Sequence, residues 1–266
     1  MIKIEHKIPE IRMTPIPHLA AGGRWRVEAM RSYSSHLLLW FTRGQGRITV
    51  AGTTRGYGPN NAIFIPAGVM HGFEVSSQVF GTAVFIPNDL GRALPLAPVH
   101  LRIRDTGPQG EINIILDNLQ RELDGKLPER VRAAHHHSGL LNVWLNRQIL
   151  LTESAAKTPD ATARLTTRFT EMIEAQFHSG MNVTDYAKAL GVTPTHLTRV
   201  CNQACGRPAS ALLNDRVIFE ARRLLRETKT PIQQVAADLG FRSPAYFTRA
   251  FQHQTGQTPS DFRRAT

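Results

Sequence analysis

Cysteine is scarce. Cys201 and Cys205 are the only two in 266 residues, which excludes the disulfide framework of a small secreted fold. Long apolar runs are missing too. No stretch approaches the roughly 18 apolar residues of a membrane span, and the opening MIKIEHKIPEIR holds no apolar core of a secretory signal. A soluble, cytoplasmic chain with no membrane partner is the expectation. Acidic side chains are outnumbered, 21 against 32 Lys and Arg, giving a net charge of +11. That favours an anionic partner without naming it. The excess is spread along the chain: residues 164–266 carry 14 basic and 8 acidic side chains, residues 1–163 carry 18 and 13. With 41% hydrophobic content, the length leaves room for two domains, each with its own core.

The most organised stretch runs from Thr230 to Arg264. Thr230 suits an N-cap, Pro231 the first helical position, and Gln233 completes a capping box. Ile232, Val235, Ala236 and Leu239 then make one apolar helical face, which Gly240 can end in a left-handed conformation. Ser243-Pro244 starts a second helix at once, with Phe247, Ala250 and Phe251 inward. Two short helices joined by a tight glycine turn predict a helix-turn-helix, whose second helix can enter a DNA major groove.

The pattern occurs twice. Asn182-Val183-Thr184-Asp185 caps a helix that Gly191 ends, and Thr193-Pro194 opens the next. A shift of 50 pairs Thr193 with Ser243, Pro194 with Pro244, Leu197 with Phe247, Thr198 with Thr248, Arg199 with Arg249, Gly206 with Gly256 and Ser210 with Ser260. Ala187, Leu190 and Gly191 match Ala236, Leu239 and Gly240 at a shift of 49. This is an internal repeat.

The repeat resembles the AraC/XylS family of bacterial transcription regulators. The family pattern IxxIAxxxGFxSxxxFxRxFxxxxGxTPxxFR is met here by Ile232, Val235, Ala236, Gly240, Phe241, Ser243, Phe247, Arg249, Phe251, Gly256, Thr258, Pro259, Phe262 and Arg263. The first copy departs from it, with Cys201 at a usual phenylalanine and Pro208-Ala209 in place of Ser-Pro. The resemblance implies an all-α DNA-binding domain over 164–266 with two helix-turn-helix motifs. A long helix from Ser210 to Glu227, with Leu213, Val217, Ala221, Leu224 and Leu225 inward, would hold the two recognition helices roughly 34 Å apart along the duplex.

Residues 1–100 read as β. His36–Phe41, Arg47–Val50, Ala62–Ile65 and Val79–Ile86 are strand-like runs separated by Gly44-Gln45-Gly46 and Gly56–Asn61. Their regular spacing predicts an antiparallel barrel or jelly roll. Pro66-Ala67-Gly68-Val69-Met70-His71 is similar to the second cupin motif, PxGxxH, and with the glycine turn it resembles the sensor cupin of AraC-type regulators. The expected fold class is therefore α+β: a cupin-like β-barrel with two helices, then the all-α domain.

A metal-dependent cupin enzyme needs a His-x-His pair, a carboxylate and a further histidine around one ion. Counted back from Gly44, those positions fall on Arg31, Tyr33 and Leu37. No catalytic residue, metal or cofactor is expected. A barrel of this size can instead hold one small-molecule effector; the candidates are Arg26, His36, Trp40, Phe64, His71 and Phe73.

Ile112, Ile115, Leu116, Leu119 and Leu123 stripe one later helix; Leu141, Trp144, Leu145 and Gln148 stripe another ending near Thr152. The family resemblance implies that such helices form a homodimer. His135-His136-His137 reads as a solvated helix start, since neighbouring helical residues diverge by about 100° and cannot converge on one ion. The expected division is 1–154 for sensing and dimerisation, a small polar linker at 155–163, and 164–266 for DNA.

Thr195, His196, Thr198, Arg199 and Asn202 would face outward on the first recognition helix; Ala245, Tyr246, Thr248, Arg249 and Gln252 on the second. Arg199 and Arg249 suit bidentate readout of guanine, and Arg242 suits a phosphate. Arg222, Arg223 and Arg226 read as a solvated helix face, and Cys201 and Cys205 as packing. The expected function is an effector-responsive activator acting on double-stranded DNA with RNA polymerase. Two alternatives stand: a cupin enzyme fused to a DNA-binding domain, and a ligand-independent regulator.

Overall fold

The computed structural model describes residues 10–90, 94–152 and 160–265. Among them, eight strands form two antiparallel sheets. β1 (Arg12–Pro15), β7 (Phe80–Ile86), β2 (His36–Arg43), β5 (Asn61–Ile65) and β8 (Val99–Arg102) lie in that order in the larger sheet. The smaller one runs β4 (Thr53–Tyr57), β3 (Gly46–Val50), β6 (His71–Phe73). An isolated bridge pairs Arg31 with His71 at the edge of β6.

Strand alternation sorts the core into two layers. Leu37, Leu39 and Phe41 of β2, Ile63 and Ile65 of β5, and Ala83 and Phe85 of β7 face the smaller sheet, meeting Ile48, Tyr57 and Phe73. Leu38, Trp40, Ala62, Phe64, Val84 and Ile86 face the other way, onto two helices. These are α2 (Thr106–Asp124) and α3 (Arg130–Thr152), which bury the predicted Ile112, Ile115, Leu116, Leu119, Leu141, Trp144, Leu145 and Gln148. Trp40 donates through Nε1 to Asn113 Oδ1 (2.9 Å) and Trp144 to the Pro108 carbonyl (3.0 Å), so each indole keeps its polar handle satisfied.

Of the expected antiparallel barrel or jelly roll, the described residues show two separate antiparallel sheets without closure into a barrel. Hydrogen bonding stops at β1 and β8 in one and at β4 and β6 in the other. β6, three residues long, is too short to carry a ladder around. Phe41 stacked on Tyr57 (4.1 Å) with Phe73 edge-on fills the space between the sheets. A short helix unforeseen in the sequence, α1 (Trp25–Glu28), precedes β2.

The remainder is helical. Of the expected linker at 155–163, residues 155–159 lie outside the described residues; Asp160 caps α4 (Ala161–Gln176), which starts three residues before the expected Arg164. Then come α5 (Val183–Ala189), α6 (Pro194–Cys205), α7 (Ala209–Glu227), α8 (Ile232–Asp238), α9 (Pro244–Thr255) and α10 (Pro259–Arg264). α5 and α8 each have 7 residues, α6 and α9 each 12, as an internal repeat demands. No described helix is long and apolar enough to cross a membrane.

The two parts share a core. Met30 and Met70 from the sheet region are buried with Phe169, Ile173, Tyr186 and Leu197 of the helices. The β3–β4 turn adds a bond from Thr167 Oγ1 to the Ala51 carbonyl (3.3 Å). Trp25 lies edge-on to Phe219 (5.7 Å) and Phe262 (6.0 Å).

Candidate nucleic-acid interface

Local chemistry builds both hairpins. In the first, the expected cap at Asn182 is met and closes a capping box with Asp185, and Thr193 accepts the His196 N–H (3.2 Å) ahead of Pro194. In the second, Ser243 accepts the Tyr246 N–H (3.2 Å) ahead of Pro244. Thr230 is not the N-cap of α8: Pro231 holds that place with no side-chain bond, and α8 begins at Ile232. Thr230 is occupied elsewhere. Its hydroxyl accepts from Thr228 (3.0 Å) and its carbonyl accepts from Arg263 Nη2 (2.6 Å). Arg263 also donates to the Leu225 carbonyl (3.2 Å), tying α10 to the end of α7.

The hairpins meet at two glycines. Gly180 and Gly240 both have positive φ, +76° and +75°, and a Cβ built on Gly180 would lie 2.6 Å from the Gly240 carbonyl oxygen. Only hydrogen fits there.

Leu197, Val200 and Cys201 of α6, and Phe247 and Phe251 of α9, are buried. The opposite faces are open. Thr195, Arg199 and Asn202 are exposed on α6, with His196 and Thr198 half-buried; Ala245, Tyr246, Arg249 and Gln252 are exposed on α9, with Thr248 half-buried. Arg199 is steered by His196 Nδ1 (3.1 Å). Among the described residues Arg249 and Arg242 have no ion pair or side-chain hydrogen bond, and both are exposed. Each outward face thus carries one arginine, Arg199 or Arg249, beside Thr and Asn on α6 and beside Ala, Tyr and Gln on α9.

α7 sets the distance between them. At 19 residues it is about 28 Å long. Leu213, Ala221 and Leu225 of the predicted stripe are buried, Val217 and Leu224 partly so. Sequence reasoning missed Arg216, which is buried among them. It makes a two-pronged pair with Glu174 of α4 (2.7 and 3.0 Å), a bond to Glu220 (3.1 Å), and stacks on Phe177 (3.8 Å). The i,i+4 pair Arg216–Glu220 on an apolar stripe was the available signal.

The arginine run is not simply solvated, as expected. Arg223 pairs with Glu220 (2.5 Å) and Glu227 (3.3 Å), and Arg222 lies over the Trp25 ring (5.0 Å), its pKa lowered by burial. Cys201 is buried, which pushes its thiol up to about 12, with Cys205 adding to the effect. Neither thiol is ionised near neutrality.

The six effector candidates do not converge on one cavity. Trp40 and Phe64 belong to the layer under α2 and α3, Phe73 to the layer between the sheets. His36 stacks on Phe64 (5.7 Å) and accepts the Ala67 N–H (3.3 Å); burial lowers its pKa. Arg26 lies outside both layers, in a groove against α7. His71 is buried, its pKa driven down to about 3 by burial and by Arg31, so it is neutral.

Of the positions counted as metal-ligand sites, Arg31 and Tyr33 come together beside His71. Arg31 Nε donates to the Tyr33 hydroxyl (2.9 Å), and the Tyr33 and His71 rings are 5.3 Å apart. A guanidinium and a phenol occupy the places of two imidazoles, and a fixed positive charge repels a metal cation. Among the described residues no three His, Cys, Asp or Glu side chains are grouped to hold an ion.

A helix-turn-helix domain model matches residues 186–265. The arabinose operon regulatory protein of Salmonella typhimurium is 27% identical over 146 residues, 53% of this chain and 52% of that one. The HTH-type transcriptional regulator GlxA of Rhizobium meliloti is 33% identical over 94 residues, 35% of this chain and 29% of that one. This chain therefore spans about half the length, or less, of these curated relatives. Among solved structures, the C-terminal domain of AraT, a response regulator from Geobacillus stearothermophilus, matches 40% of this chain and 89% of its own, at 28% identity and TM-score 0.38. ToxT from Vibrio cholerae matches 96% of both chains at 12% identity and TM-score 0.45. Two capped hairpins in tandem and the matched domain model agree: the segment 186–265 is a helix-turn-helix domain, similar to part of the arabinose operon regulatory protein, in a chain whose matched relatives are regulators of transcription.

Proposed function

We propose that this protein is a transcription regulator that binds specific duplex DNA through α6 and α9, with its N-terminal half (1–154) responding to a small-molecule effector and residues 164–266 reading the operator. One observation carries the reading. Two equal hairpins, each with an outward arginine, are held on one rigid connector whose length suits neighbouring major-groove segments. Arg199 and Arg249 read bases; Arg242, near the start of α9, positions the backbone.

Binding-site selection from random duplex DNA tests this directly. A single enriched motif with two half-elements about one helical turn apart is the expected outcome. On that site Arg249→Ala weakens binding by about 1–3 kcal/mol more than on random DNA. Equal loss on both would reduce Arg249 to a phosphate contact.

A homodimer is part of the proposal. Leu140, Val143, Leu150 and Leu151 of α3 are exposed, between 45% and 76%, and recur along one helix. Sedimentation of the full chain, with Leu150→Glu/Leu151→Glu as the disrupting variant, tests that face. Activation through RNA polymerase in the cytoplasm completes the reading; reporter output across metabolite conditions separates it from a ligand-independent regulator.

A further inference from the structure

The outward faces of α6 and α9 are copies that differ at one telling position. The shift of 50 that pairs Arg199 with Arg249 also sets His196 against Tyr246. Arg199 Nη2 lies 3.1 Å from Nδ1 of His196, three residues earlier on the same face. A guanidinium has no lone pair with which to accept, so Arg199 donates, Nδ1 accepts, and the imidazole proton of this pair sits on Nε2. Arg249 makes no ion pair or side-chain hydrogen bond among the described residues. Tyr246 leans towards the turn instead, its ring 6.0 Å from that of Phe241. The turns account for the difference. Phe241 follows Gly240 in the second hairpin, whereas Val192 follows Gly191 in the first and offers His196 no ring to lean on.

An exposed arginine keeps the rotamer freedom of a long stem and loses it on docking. Arg199 gives up part of that freedom before DNA arrives, because the imidazole orients its guanidinium. A pre-set fork suits one acceptor pair, O6 and N7 of guanine. Arg249 is free to swing from a mismatched base to a phosphate oxygen, which carries no sequence information.

We propose that His196 is a positioning residue that orients Arg199 and so makes the half-element under α6 the stringent half of the operator, and the one under α9 the tolerant half. This rests on the base-reading roles proposed above for α6 and α9. Its consequence is an asymmetric site, which the tandem hairpins read in one direction.

The test uses the full chain and the duplex obtained by binding-site selection, with each guanine of the two half-elements replaced in turn by adenine and affinity read by fluorescence anisotropy. Arg199→Ala and Arg249→Ala show which half-element lies under which helix, since each flattens the base preference of its own. Replacement under α6 is expected to weaken wild-type binding about thirtyfold, and under α9 about fivefold. His196→Ala brings the first penalty down to the second and leaves the second unchanged. His196→Gln, whose amide oxygen still accepts from Arg199, keeps most of the first. The backbone cap from Thr193 to the His196 N–H survives in both variants, and circular dichroism checks their folding. Equal penalties under the two helices in the wild type, or a His196→Ala loss that is the same at guanine and adenine, would overturn the proposal. The two readings fail distinguishably. If base reading itself is wrong, Arg199→Ala flattens neither half-element and the proposal falls with it; if only the positioning role is wrong, Arg199→Ala flattens the α6 penalty and His196→Ala spares it.

Discussion

The two hairpins have the same lengths but different anchorage. The first is fixed at its entrance by the Asn182–Asp185 box, and its core merges with Met30 and Met70 of the sheet region. The second begins at Pro231 with no side-chain cap and packs on its own phenylalanines, Phe241, Phe247, Phe251 and Phe262, against the far end of α7. Duplication conserved the geometry of the reading heads while their supports diverged. The first hairpin is bound to the N-terminal half directly; the second reaches it through α7, α10 and Trp25.

The largest expected effect comes from removing what joins the hairpins. Arg216→Ala leaves the half-buried Glu174 and Glu220 without their shared cation, though Glu220 keeps Arg223, and should cost about 2–3 kcal/mol in urea denaturation. If α4 and α7 are held together by apolar contacts alone, the loss will be far smaller.

Acid should act on the first hairpin's side. His71 titrates near 3 when folded and 6.5 when unfolded, so only the unfolded chain takes up its proton between those values. Stability present above pH 6.5 is lost as pH falls, on the order of 2 kcal/mol from this residue by pH 5. His100, lowered to about 4 by burial and Arg55, adds to the same trend. Denaturation at pH 7 and pH 5 should give a shallower slope for His71→Gln; an unchanged slope would absolve His71.

The caps give the smallest effect and the sharpest contrast. Asn182→Ala should cost about 1 kcal/mol, while Thr230→Ala should cost less than about 0.5 kcal/mol because its hydroxyl caps nothing. Equal losses would restore Thr230 as a cap.

Much of the helical half was legible because its signals are local. Ser or Thr followed by proline, and a glycine after an apolar triad, specify helix ends within a few residues. Thr230 misled because its hydroxyl is engaged by Thr228 and its carbonyl by Arg263, 33 residues away. The β half was legible strand by strand through alternation at Leu37 to Phe41. Closure was not, since it depends on ladders between distant short strands. The effector candidates scattered for a related reason. Trp40 and Phe73 look alike as large rings, and only the pleat puts one under the helices and the other between the sheets. Arg216 and Trp25 escaped because charge and isolation suggested solvent. Both are instead buried or half-buried by partners from other segments.

At Gly180 and Gly240 the hairpins touch backbone to backbone, with no side chain between them. A single methyl group there would act as a shim, tilting one reading head against the other. The relative tilt of the two hairpins thus rests on both positions staying free of a Cβ.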